Sequence, residues 1–123
     1  ITALDQDGLP RGLTVNSLSS VSLAPPLLLY GLDRAAVNYQ TFAAARVFAV
    51  NILTSAQETI SNRFADPTQP HWPDLPYRSL LGGAPGVPNV AISIVCQRER
   101  AVEVADHLIL KNRLWNTILF YKI

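Results

Sequence analysis

Few side chains in this chain are able to do chemistry, and their spacing rules out most of what they could do. Ser17, Ser19 and Ser20 are possible nucleophiles, and Asp106-His107 offers an acid beside an imidazole. As neighbours on a strand, Asp106 and His107 are expected to point to opposite faces, which denies them a shared triad. No Gly-x-Ser-x-Gly elbow is present. Cys96, between Ile94-Val95 and Gln97, reads as a small buried hydrophobe. His71 and His107 lie far apart, with no cysteine or acidic cluster at ligand spacing, so no metal site is predicted. Gly82-Gly83-Ala84-Pro85-Gly86 lacks the spacing of a dinucleotide fingerprint and is interrupted by Pro85, and a phosphate-binding P-loop is absent.

What remains is the run from Gly8 to Asp33. It carries Thr14, Asn16, Ser17, Ser19, Ser20, Ser22 and the Asp33 carboxylate among aliphatics, with Arg11 as its only cation. Such a set suits many short hydrogen bonds to a flat, polyoxygenated ligand and does not suit acid–base catalysis by the protein. A bound ligand must then bring the chemistry. The plain alternative is a solvent-facing strand with a serine-rich turn. Against it, solvated faces recruit Lys and Glu, whereas these groups are mostly uncharged and run at once into Pro25-Pro26 and an apolar stretch.

The elements that position this run are legible in outline. Ile1–Leu4 reads as the end of a strand that has lost its beginning, and Asp5-Gln6-Asp7-Gly8 as a turn. Gly12–Leu18 alternates apolar and polar residues and predicts a half-buried strand. Pro25-Pro26 marks a break. The continuous apolar run Leu27–Leu32 predicts a strand buried on both faces. Ala35–Arg46 predicts a helix, Val47–Leu53 a strand, and Thr54-Ser55 the cap of a second helix ending near Phe64. Val90–Val104 predicts one long strand or a bent pair, and Asp106–Leu110 and Ile118–Tyr121 two more. About six strands and two helices argue for a closed or nearly closed barrel. Between them, Asp66 to Pro88 is a long loop with Pro67, Pro70, Pro73 and Pro76 at the polyproline period. It reads either as a ligand for an aromatic groove or as a stiffened flap with His71-Trp72 at its centre.

The chain has 123 residues, 49% hydrophobic and 15% charged, with net charge +1. That length predicts one domain over residues 1–123. So low a charged fraction favours a buried subunit interface or a bound ligand. No basic face predicts nucleic-acid binding. No segment is long and apolar enough to span a membrane, no signal peptide is recognisable, and the single Cys96 fits a reducing, cytoplasmic compartment.

The run GLPRGLTVNSLSSVSLAPPLLLYGLDR resembles the opening signature of the flavin reductase-like family, whose fold is the FMN-binding split β-barrel of Greek-key type. Phe48–Leu53 is similar to the family's FAVNVL strand, Asn62-Arg63-Phe64-Ala65 to its RFA segment, Ala105-Asp106-His107 to its Gly-Asp-His strand, and Ile118–Tyr121 to its closing strand. The resemblance implies a mainly β split barrel with two flanking helices. It implies reduction of FMN or FAD by NADH or NADPH, a homodimer with the flavin near the subunit interface, and in many members a monooxygenase that receives the reduced flavin. By position it implies Thr14, Asn16 and Ser17 along the isoalloxazine ring, and Ser19, Ser20, Asp33 and Arg34 near the ribityl chain and phosphate. Arg63 is implied as a phosphate contact, and His107 as the group facing the nicotinamide. Hydride transfer would be the cofactor's own chemistry, with the protein supplying placement and electrostatics.

Three departures from the family pattern stand out. Where members carry a Ser-Arg-Thr type triplet, this chain has Ala36-Val37-Asn38, and only Asn38 keeps a hydrogen-bonding group. Ala105 replaces the glycine of Gly-Asp-His, read as a small change. The stretches around 86–90 and 111–117 are shorter than the pattern leads one to expect, as if pieces were missing. Two further readings go with these points: a non-catalytic flavin-binding or sensor protein of the same fold, and a flavoprotein that reduces another small acceptor beneath the His71-Trp72 loop.

Overall fold

The structure is a computed structural model and describes residues 1–119. Its strands are β1 (Thr2–Leu4), β2 (Pro10–Gly12), β3 (Ser19–Leu23), β4 (Pro26–Asp33), β5 (Val47–Ile52), β6 (Arg78–Ser79), β7 (Pro85–Gly86), β8 (Ile92–Val104) and β9 (His107–Leu119). Two helices, α1 (Tyr39–Ala44) and α2 (Glu58–Ala65), flank them. Seven strands form one antiparallel sheet in the order β2-β1-β5-β8-β9-β4-β3, and β6 pairs with β7 separately. The sheet curls round a core of Leu28, Tyr30, Leu32, Phe42, Phe48 and Leu110, in which Tyr30 and Phe48 meet edge to face at 5.4 Å. The free edges are β2 and β3, joined directly by residues 13–18, so the barrel is split along that crossing.

The strand buried on both faces is β5, not the predicted Leu27–Leu32. Phe48 and Val50 point into the main core, while Ala49 packs outward against Leu80, Ala84 and Val95. The loop after α2 folds back to supply that outer cover. Among the described residues, nothing comparable covers the outer face of β4: Leu28, Tyr30 and Leu32 are buried in the core, and Leu27, Leu29 and Gly31 are half-exposed. An apolar run therefore became an alternating strand because of what lies over it.

Gly12–Leu18 is not a strand beyond Gly12. The side chains of Thr14 and Ser17 take up backbone groups of other segments (described below), which competes with a ladder. The predicted helix 35–46 shortens to Tyr39–Ala44, because Asp33 draws the chain into turns first: its Oδ1 accepts from Ala35 N–H at 2.9 Å and its carbonyl from Ala36 N–H at 3.0 Å. The second helix follows its cap as expected. Thr54 and Gln57 form a reciprocal capping box ahead of α2. The predicted strands 106–110 and 118–121 are one continuous β9, paired with β8 from Val104↔His107 to Ile92↔Leu119. Residues 111–117 lie inside that ladder, with register shifts at Val95/Cys96 and Arg98/Arg100. Phe120 and Tyr121 lie outside the described residues.

The proline-rich segment is a strap along the body. Trp72 turns inward between Phe64, 5.1 Å away, and Tyr77, 5.8 Å away, and its Nε1 donates to Leu75 O at 3.0 Å. His71 stays exposed. Among the described residues, no helix is long and apolar enough to cross a membrane.

Candidate functional site

The crossing that splits the barrel is pinned at both ends by hydrogen bonds. Leu13 N–H donates to Ile1 O, Thr14 N–H to Phe64 O, and Thr14 Oγ1 to Ser61 O at 2.6 Å. At the far end, Ser17 Oγ accepts from Gly31 N–H at 2.9 Å and donates to Gly31 O at 3.1 Å. Asn16, between these anchors, is exposed. A cavity of about 270 Å³ opens beside Thr14, Val15, Leu18, Asn51 and Phe64.

Ser17 and His107 meet at Gly31. A Cβ at Gly31 would lie 3.5 Å from Ile109 Cδ1 and 3.6 Å from both His107 Cδ2 and Ser17 Oγ. The missing side chain leaves a shallow floor edged by a hydroxyl, an imidazole and a methyl group. Asp33 stands opposite His107 in the β4–β9 register. Ser19 and Ser20 lie exposed on the neighbouring edge strand β3.

The expectation that Asp106 and His107 point apart is overturned. Asp106 belongs to the turn before β9, so its Oδ1 lies 2.8 Å from His107 Nδ1. The hydrogen bond from His107 holds the Asp106 carboxyl below the ordinary carboxylate range. Ala105 is no small change either. Its φ of +53° is a left-handed conformation that glycine adopts freely and alanine does not.

The residues implied at the phosphate end do not share one pocket with these. Arg34 and Asn38 line a cavity of about 950 Å³ together with Arg11, Tyr39 and His71. Arg34 also pairs with Glu103 at 3.0 Å. Arg63 lines a separate hollow with Asn62, Asp66 and Gln69. What links the two hollows is the strap between them. Pro70 O accepts from Asn38 Nδ2 at 3.1 Å and from Arg11 Nη1 at 3.3 Å, and His71 O accepts from Arg63 Nη2 at 3.2 Å. Arg11 Nη1 also lies 2.8 Å from His71 Nδ1. Arg63 Nε is buried and has no hydrogen-bond partner among the described residues.

Three positions that matter here, Gly31, Arg11 and Asn51, escaped the sequence reading, and a fourth, Asp106, was expected to face away from His107. Gly31 supplies the floor, and Asp106 the partner of His107. Arg11 anchors the strap and pairs with Asp5 at 3.0 Å; the Leu9 amide, then Arg11, hold the Asp5 carboxyl low. Its signal was visible, as the only cation in a polar run. Asn51 is a hub behind the cavity: its Oδ1 accepts from Val87 N–H and Ser93 Oγ, and its Nδ2 donates to Thr2 Oγ1. A lone amide in the strand VFAVNI was its signal.

Fold and site together define a small antiparallel β protein that presents uncharged hydrogen-bonding groups and one imidazole along the seam of a split barrel. The model of the flavin reductase like domain matches residues 1–114, and the chain belongs to that family. It is 38% identical over 114 residues to a probable flavin reductase of Rhizobium meliloti, covering 93% of this chain and 37% of that protein. It is 39% identical to the stachydrine N-demethylase reductase subunit of the same organism, covering 93% of this chain and 50% of that protein. The chain thus spans half or less of the length of these curated relatives. Among solved structures, the NADH:FAD oxidoreductase of Streptomyces globisporus C-1027, in complex with NAD and FAD fragments, superposes with a TM-score of 0.86 at 31% identity. That match covers 97% of this chain and 72% of the other.

Proposed function

We propose that residues 1–123 act as one domain of an NADH- or NADPH-dependent flavin reductase that takes FMN or FAD. The observation that carries this reading is the Gly31 floor, edged by Ser17 and His107, in a chain of the flavin reductase like family. The residues fit a flavin. Exposed, uncharged Thr14, Asn16, Ser19 and Ser20 are the donors and acceptors that a neutral, polyoxygenated ring needs, and Gly31 leaves room for a flat face. Arg34 and Asn38 in one hollow, and Arg63 in the other, each offer donors that suit a phosphate. When bound, the flavin supplies the hydride chemistry. The chain's part is to hold the ring along residues 14–20, fix Ser17 against Gly31, and present His107 to the nicotinamide donor.

A homodimer goes with this reading. Leu18, Val21 and Leu23 are exposed on and beside β3, Leu23 at 90%, and Val102 and Val104 on the β8 end, a distribution that favours burial against a second subunit. The named relatives include the reductase component of a trigonelline monooxygenase from Acinetobacter baylyi. They support a monooxygenase as recipient of reduced flavin; the free, buried Cys96 goes with a cytoplasmic setting. A second reading, a flavin binder without turnover, is motivated by Ala36-Val37, which stand where members of the family carry hydrogen-bonding groups.

One measurement separates the two. The purified protein is scanned near 450 nm, and oxidation of NADH and NADPH is followed with and without added FMN or FAD. The reductase shows turnover that depends on added flavin. A yellow protein that oxidises neither nucleotide is the binder. Sedimentation then reads the subunit number.

A further inference from the structure

His107 opens β9, with Asp33 of β4 opposite it on one side and Val104 of β8 on the other. The turn that precedes it is tied to the end of β4. Arg34 N–H donates to Asp106 O at 3.0 Å, and the Arg34 guanidinium pairs with Glu103 at 3.0 Å. Asp33, Arg34, Glu103 and Asp106 are thus the charged groups around the imidazole. Ala105 holds φ at +53°, which places Asp106 in the turn and its Oδ1 2.8 Å from His107 Nδ1. The two side chains are 83% and 43% exposed. An ion pair so exposed contributes little to stability, so its effect on the ring is the more telling one.

An ionised carboxylate only accepts hydrogen bonds. A neutral imidazole facing it must carry its proton on Nδ1, which leaves Nε2 as an acceptor. Cδ2, the ring atom next to Nε2, lies on the Gly31 side, 3.6 Å from the position of a Cβ there. The acceptor edge of the ring therefore borders the floor on which a flat ligand would rest. A nicotinamide carries one group matched to that edge, the N–H of its carboxamide. The opposite tautomer would present a donor to a donor.

We propose that Asp106 is a positioning residue that fixes His107 in the Nδ1–H tautomer, so that Nε2 accepts from the carboxamide N–H of the nicotinamide donor. This rests on the reading of His107 as the group facing that donor. It gives the chain a basis for choosing among reduced pyridine nucleotides by their 3-substituent.

Two readouts test it. The first needs neither flavin nor turnover: nitrogen NMR of the His107 ring at pH 8 in the full chain. Wild type shows Nδ1–H. Asp106→Ala shifts the ring toward Nε2–H, and Asp106→Glu restores part of the Nδ1–H signal. The second compares NADH with its reduced 3-acetylpyridine analogue, whose methyl ketone has no N–H, in the FMN-supplemented protein. Wild type prefers the carboxamide by about tenfold in kcat/KM, the worth of roughly one hydrogen bond, with the difference carried on KM. Asp106→Ala and His107→Ala both lose the preference. Persistence of the Nδ1–H form in Asp106→Ala overturns the positioning role whatever the kinetics. If the tautomer shifts but His107→Ala keeps the full preference, the assignment of His107 to the donor fails, and the carboxamide contact with it.

Discussion

The two ends of the candidate site are built on opposite plans. At the Gly31 end the fixed groups bond to backbone within the seam, and Asn16, Ser19 and Ser20 stand exposed beside them. At the strap end the strong donors are already engaged: Arg11 and Asn38 with Pro70 O, Arg63 with His71 O. The glycines show the same contrast. A Cβ at Gly12 would meet the Phe64 ring at 2.6 Å, whereas at Gly31 the nearest atom is 3.5 Å away. On the proposed reading, the first end would take a flat ligand without breaking an internal bond, whereas the second would have to exchange bonds with its own strap to hold an anion.

The sharpest way to test this is to loosen the strap. Trp72→Ala removes its anchor between Phe64 and Tyr77. The variant is expected to lose about 3 kcal/mol in urea unfolding, with faster protease cleavage between Pro67 and Pro76. If the strap competes with phosphate, the same variant binds inorganic phosphate more tightly than wild type; weaker phosphate binding breaks that half of the comparison.

Next come the two glycines. Gly12→Ala drives a methyl into Phe64 and costs about 1–3 kcal/mol. Gly31→Ala stays within about 0.5 kcal/mol of wild type in stability, but raises the FMN dissociation constant about tenfold, equivalent to about 1.4 kcal/mol. Equal stability losses at both positions would erase the distinction between a closed and an open end.

Ala105→Gly relieves the left-handed turn and is expected to add about 1 kcal/mol in thermal or urea unfolding. No gain would mean the turn is held differently.

The smallest effect is in acid. Asp5, at the strap end, and Asp106, at the other, both have folded carboxyls held below their ordinary value. A depressed folded value means that the stabilisation is complete above the unfolded value, about pH 4, and fades as pH falls through the folded one. Asp5→Asn should flatten the low-pH limb of stability, and Asp106→Asn should do so less, since its carboxylate is more exposed. In neutral solution Cys96 is a control for intact folding. Burial pushes its thiol up to about 12, so alkylation should follow unfolding only.

Much of the fold was readable because it is local. The strand VFAVNI, the Thr54 cap and the turn at Asp5–Gly8 each announce themselves within a few residues. Three of the misreadings share one cause. Thr14, Ser17, Asp33 and Asp106 are short polar residues, and each bonds backbone or a neighbour in a way that periodicity cannot register. They turned a predicted strand into a crossing, shortened a helix, and joined two residues expected to face apart. The site was legible as a list of hydroxyl and amide groups, but not as one place: Ser17 and His107 meet at Gly31, while Arg34, Asn38 and Arg63 gather round the strap.

By itself the amino-acid sequence determined that this is a β-rich chain with a polar, nearly uncharged run between Gly8 and Asp33, because residue type and period are properties of short segments. The tertiary structure decided which strand is covered on both faces, which glycine is closed and which open, and which acceptor holds the His107 ring. Those depend on what packs over a segment from elsewhere in the chain, and no local pattern carries that information.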